Sequence, residues 1–159
     1  IEQLINDKHF NDLITKSLNN VSKSNFMMGH ARLVTNGTQL SDNNNQPIIK
    51  DNTIIIHNGI IANVEQLWEK HSELEREYEI DTEILPLLFN KYVNNGATLN
   101  ESIAKIFDEI QGTVAIALNL IEYNKLILAT NYGCLYSLHN NKDYFVFASE
   151  LFKRLKGNS

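Results

Sequence analysis

The chain has 159 residues, 43% hydrophobic and 21% charged, with a formal net charge of −5. That is one domain with room for a real core, and the lack of any basic cluster argues against nucleic acid as a partner. No apolar run approaches the ~20 residues that span a bilayer, the first residues do not read as a signal peptide, and a single cysteine rules out an internal disulfide framework, which together favour a reducing, cytoplasmic setting without a membrane partner.

Residues 2–18 read as an amphipathic helix with Phe10, Leu13, Ile14 and Leu18 on one face. Phe26–Thr35 reads as a strand and 36–46 as a polar loop rich in asparagine. Ile48–Ile56 supplies a hairpin turning near Lys50-Asp51-Asn52. Asn63-Val-Glu-Gln66 resembles a capping box and predicts a helix running to about Glu77. A second helix is expected over about 82–92, with an irregular or late start because Pro86 lacks an N–H. Thr98-Leu-Asn-Glu101 is another capping box, and the helix it opens is expected to end at Gly112. Val114–Leu120, Lys125–Thr130, Leu135–His139 and Tyr144–Ala148 read as strands joined by short turns, hence antiparallel. The whole is a single α+β domain over 1–159.

The chemistry-bearing residues gather in two stretches. In Met28–Gly37, Arg32 is a cation within an otherwise mostly apolar run. It reads either as a structural ion pair or as a bidentate grip on a carboxylate. In Thr53–Gly59, Asn58 supplies an uncharged amide donor and Gly59 a backbone N–H that a ligand can approach closely. Two such donors make an oxyanion hole. Asn-Gly between apolar runs is also a common hairpin signal, but the helical pattern after Asn63 predicts strand, glycine turn, helix instead. Asp81 reads as a helix N-cap or as an acceptor for an ammonium group. His30 and His57 read as buried hydrogen-bonding groups. No histidine–carboxylate set has metal-ligand spacing, so neither a metal nor another cofactor is expected. Cys134 has no base beside it in sequence and reads as a small, partly buried apolar residue.

Gly29-His-Ala-Arg-Leu-Val-Thr-Asn-Gly37, Asn44-Asn-Gln-Pro47, His57-Asn-Gly-Ile-Ile-Ala-Asn63 and Asp81-Thr-Glu83 resemble, in order and spacing, the glutaminase domain of class II glutamine amidotransferases. The version most similar is that of glucosamine-6-phosphate synthases. The resemblance covers about Gly29–Glu150. It implies an Ntn-hydrolase-like four-layer αββα sandwich of antiparallel sheets, with the first strands lying before Ile1. It implies that glutamine is hydrolysed to glutamate and ammonia, which passes to a sugar isomerase or other acceptor domain or subunit that aminates a sugar phosphate or nucleotide sugar. By this resemblance Arg32 holds the glutamine α-carboxylate with help from Thr35, and Asn36 stands beside them where the family has a histidine. Asp81 binds the α-amine, Asn58 and Gly59 form the oxyanion hole, and Gly59 also lies near the amine. Thr82 and Glu83 take structural roles.

The family's nucleophile is a cysteine at the first residue of the mature chain, and this sequence begins with Ile1. The stretch from Ile1 is therefore expected to be inactive alone. The alternative is a non-catalytic glutamine-binding or subunit-docking module. Leu33 replaces an aromatic of the loop that covers the substrate, Gln46 replaces a histidine, and Asn131 stands where an arginine is more frequent. The acceptor's identity and any homo-oligomer are left open.

Overall fold

A computed structural model describes residues 12, 15–16, 26–30, 44–140 and 142–150. Arg32, Leu33, Thr35 and Asn36 lie outside the described residues, as does most of the expected first helix. Asp12, Thr15 and Lys16 are helical, and 26–30 have no regular structure where a strand was expected. The architecture is α+β with antiparallel sheets, consistent with an Ntn-hydrolase-like fold.

The main sheet has the order β1(Ile48–Lys50), β2(Thr53–Ile61), β3(Gly112–Leu120), β4(Lys125–Thr130). β1 and β2 form the expected hairpin, with Lys50 opposite Thr53 across a two-residue turn in which Asp51 has φ +51°. Strand alternation then sorts the side chains. Ile55, Ile61, Val114, Ile116, Leu118 and Leu120 point to one face, where they meet the helices. A second, two-stranded sheet pairs β5(Tyr136–His139) with β6(Phe145–Ala148).

Three helices follow β2: α1(Val64–Lys70), α2(Ile84–Asn94) and α3(Leu99–Glu109). α3 starts at the expected capping box, with the Thr98 hydroxyl accepting from the Glu101 N–H. It ends at Glu109, and Gly112 opens β3 instead of closing the helix. α1 stops well short of Glu77. The backbone N–H groups of Glu77 and Tyr78 are claimed by the fully buried Glu83 carboxylate, so this stretch cannot continue the helix ladder. Nor is Asn63 a side-chain cap. Its amide instead crosses to Glu109 O (2.9 Å) and accepts from Gln111 N (2.8 Å), tying the end of β2 to the start of β3. α2 is preceded by a 3₁₀ turn, Asp81–Glu83, which is the irregular start that Pro86 demanded. Pro86 falls in the first turn of α2, where its missing N–H leaves nothing unpaired.

Asn58 and Gly59 do not end their strand. β2 runs straight through them to Ile61 and turns only at Ala62-Asn63. It can do so because both ends of this part of the ladder are glycine. Gly59, opposite Val114, has φ +143°, and a Cβ there would sit 1.8 Å from Thr113 O. Gly112, opposite Ile61, has φ +136°, and its Cβ would meet Ile60 O at 2.0 Å. The two strands close up where side chains would hold them apart.

A polar cluster joins the helices. His71, just after α1, has Nε2 2.6 Å from Glu109 and Nδ1 2.6 Å from Lys91. Lys91 also meets Glu73 at 2.5 Å, and the Tyr92 hydroxyl donates to Glu109. Burial works to raise the Glu109 carboxyl, but hydrogen bonds from Tyr92, His71 and Lys70 win and hold it at about 2, against an ordinary 4.5.

Two outcomes are expected. Gly59→Ala should lower the urea midpoint by the equivalent of ~2–3 kcal/mol, since overpacking and a left-handed φ add. A wild-type midpoint would show that the strands do not approach this closely in solution. Because the folded Glu109 pKa lies below its unfolded value, its contribution is complete above about pH 4.5 and is lost as the pH falls toward 2. Glu109→Gln should therefore flatten the acid limb of a plot of melting temperature against pH. An unchanged slope over that window would assign the acid sensitivity elsewhere.

Candidate active site

The site is built on one edge of β2. β1 covers only Thr53–Ile55, so among the described residues no strand pairs with β2 on that side from Ile56 onward. On one strand edge, backbone groups recur at every second residue. His57, Gly59 and Ile61 therefore present their N–H groups in the same direction.

Two of these three donors are satisfied by side chains. Gln46 stands where the β1–β2 register would place a partner for His57, but Pro47 breaks the backbone ladder between them. The Gln46 amide substitutes for a strand: Oε1 accepts from His57 N (2.5 Å), and Nε2 donates to His57 O (3.0 Å). At the other end, Ile61 N donates to Asp81 Oδ2 at 3.0 Å. Asp81 is thus an acceptor and not a helix cap; the cap position belongs to Ile80, with no side-chain capping bond. Gly59 lies between the two, about 7 Å along the strand from Ile61 by the rise of two residues. By the same alternation its N–H faces the edge that β1 leaves.

Asp81 is held firmly. It is 7% exposed, and the next two residues, Thr82 and Glu83, are fully buried. Glu83 accepts from two backbone N–H groups and from the Lys50 ammonium at 2.7 Å. Lys50 in turn lies 4.3 Å from the centre of the Tyr78 ring and 2.8 Å from Glu77. Asn44 bonds Glu79 through both ends of its amide. These contacts lock the loop before the 3₁₀ turn, and with it the Asp81 carboxylate.

Asn58 points to the opposite face of the sheet and is exposed. Across the strands it neighbours Ala115, which pairs with Thr130. Asn131 closes this corner: Oδ1 accepts from Val114 N (2.8 Å), and Nδ2 donates to Gly112 O (3.0 Å). His57 is buried as expected, and burial lowers its imidazole pKa against the pull of Asp81. His30 is half-buried. Cys134 is exposed, not tucked into the core. Among the described residues no His/Cys/Asp/Glu group could hold a metal ion, and no helix is long and apolar enough to cross a membrane.

The structure therefore brings Asn58, Gly59 and Asp81 to one end of β2. Sequence reasoning gave Glu83 a structural role without its partners, noted Gln46 only as replacing a histidine and Asn44 only within a motif, and missed Lys50. A glutamine before a strand-opening proline was the available signal for Gln46. A cleft of about 230 Å³, lined by Asp51, Thr53, Asn90 and Glu122 among others, lies at the opposite end of the sheet and has no part in this arrangement.

Residues 30–156 match the family model described as a glutamine amidotransferase domain. The chain is 34% identical over 114 residues to a 7-cyano-7-deazaguanine synthase of Saccharolobus solfataricus, covering 71% of this chain and 24% of that protein. It is 29% identical over 130 residues to a glutamine–fructose-6-phosphate aminotransferase of Bartonella henselae, covering 80% and 21%. The Escherichia coli protein of the same name is 28% identical over 108 residues, covering 67% and 18%. The chain thus spans a quarter or less of these relatives' length. With a match over most of its residues, the chain belongs to the glutamine amidotransferase domain family.

Proposed function

We propose that this domain binds glutamine and, in the complete protein, hydrolyses it to glutamate and ammonia. The observation that carries the reading is the buried Asp81 carboxylate bonded to Ile61 N, two residues along β2 from Gly59. Asp81 takes the substrate α-ammonium. Gly59 N–H and the Asn58 amide receive the oxygen of the side-chain amide as it becomes an oxyanion, an interaction whose loss typically costs ~3–4 kcal/mol of barrier. Arg32, with Thr35 and Asn36, takes the α-carboxylate as a bidentate partner.

The nucleophile is an N-terminal cysteine preceding Ile1, whose own α-amine is the base. It forms a glutamyl thioester and releases ammonia; water then releases glutamate. Residues 1–159 alone bind glutamine or glutamate weakly and do not turn it over. The ammonia passes to an acceptor domain or subunit acting on a sugar phosphate or nucleotide sugar. Similarity to glutamine–fructose-6-phosphate aminotransferases supports that acceptor. The higher identity to a 7-cyano-7-deazaguanine synthase favours a second reading, in which the acceptor belongs to deazaguanine chemistry.

Intact mass and N-terminal sequencing of the protein as its gene encodes it test the hydrolase. A chain starting with cysteine after methionine removal supports it. A native N-terminus without Cys, Ser or Thr leaves only a glutamine-binding module. In that full protein, Arg32→Ala should abolish glutamate binding in a calorimetric titration and shift stability by no more than ~1–2 kcal/mol. Binding retained alongside a large stability loss would make Arg32 a structural residue.

A further inference from the structure

His57 is almost wholly buried directly beneath the Gly59 edge, yet its Nε2 has no hydrogen bond of ordinary geometry. The nearby bonds point to one placement of the ring proton. His57 N–H requires an acceptor, which fixes Oε1 of Gln46 toward it. The Gln46 NH₂ then has two protons to place, one on His57 O and one on the Thr82 hydroxyl oxygen at 3.1 Å. Thr82 Oγ1 then has its own proton to give, and donation to His57 Nδ1, 3.2 Å away, places it. An imidazole that accepts at Nδ1 must be neutral and protonated at Nε2. That Nε2–H faces the Thr113 carbonyl and the space left by the missing Gly59 side chain, since a Cβ on Gly59 would lie 3.0 Å from it.

We propose that Gln46, Thr82 and His57 form a directed positioning relay that holds His57 as the neutral Nε2–H tautomer beneath Gly59. The role rests on the glutamine-site reading above. A neutral ring leaves the Asp81 charge undiluted for a ligand ammonium. An imidazolium in the same place would compete for that carboxylate and would turn Nδ1 into a second donor against Thr82. The relay also fills the hollow under Gly59, so the N–H that faces the ligand is held without a side chain of its own. His57 and Thr82 are positioning residues: neither is required to touch the substrate.

The test uses the full-length protein labelled at histidine with ¹⁵N, together with glutamate titration. The wild type should show a neutral Nε2–H His57 at pH 7. Thr82→Ser, which keeps the hydroxyl, should keep both that tautomer and the glutamate affinity. Thr82→Val should lose the single tautomer and weaken glutamate binding by about tenfold. A wild-type ring protonated at Nδ1, or charged, overturns the relay whether or not any variant folds. A Thr82→Val protein that binds glutamate like the wild type overturns the positioning role. Absence of glutamate binding in the wild type, with the tautomer as expected, overturns the glutamine-site reading and the role with it, and leaves a relay that is structural only.

Discussion

A strand edge that loses its neighbour must find partners for its backbone donors, and the site follows from how β2 meets that demand. Where β1 stops, the His57 peptide groups are taken by the Gln46 amide and the Ile61 N–H by the Asp81 carboxylate. Each substitute is a side chain, so each brings chemistry that a neighbouring strand would not. The Asp81 oxygen that caps the edge leaves its partner oxygen for other donors. The glycine between them keeps its N–H on the open side. A continuous β1 would have satisfied all three positions with backbone and left nothing to bind a ligand.

The cost of this arrangement falls on the 3₁₀ turn. Asp81, Thr82 and Glu83 are all buried, and a buried carboxylate is tolerated only when its oxygens are well occupied. Glu83 meets that condition through Glu77 N, Tyr78 N and Lys50, which are drawn from the preceding loop and from β1. Such an ion pair adds little net stability relative to an apolar pair of the same shape. What it adds here is register: it fixes the start of α2 against the hairpin, and so fixes Asp81 against Ile61. The His71–Glu109–Lys91 cluster performs a comparable service for the far ends of the helices.

Elements whose signals are local were legible in the sequence. Thr98 and Glu101 cap α3 across three residues, and the four strands from Val114 onward lie within two residues of their expected bounds. Residues that act across the chain were misread. Asn63 looks like a cap until Gln111, 48 residues on, claims its amide. Asp81 looks like a cap until Ile61, 20 residues back, claims its carboxylate. Glu83 ends α1 early by taking two N–H groups that a helix would have needed, and nothing near Glu77 announces it. The Asn58-Gly59 pair suggested a turn because Asn-Gly usually makes one. The two close glycine contacts at Thr113 O and Ile60 O explain why the strand continues.

A site made from one strand edge and one 3₁₀ turn recognises a small molecule by its ends, and on the proposed reading it releases ammonia. Ammonia carries no trace of the glutamine it came from, and it makes no demand on the glutaminase surface beyond shelter from water. Nothing in the Gly59–Asp81 geometry therefore has to change when the acceptor does. On that reading, such independence fits the comparable similarity to relatives whose names describe different products. On the proposed reading, the selective work within these residues is done by the edge of β2 and the buried turn that holds Asp81 against it.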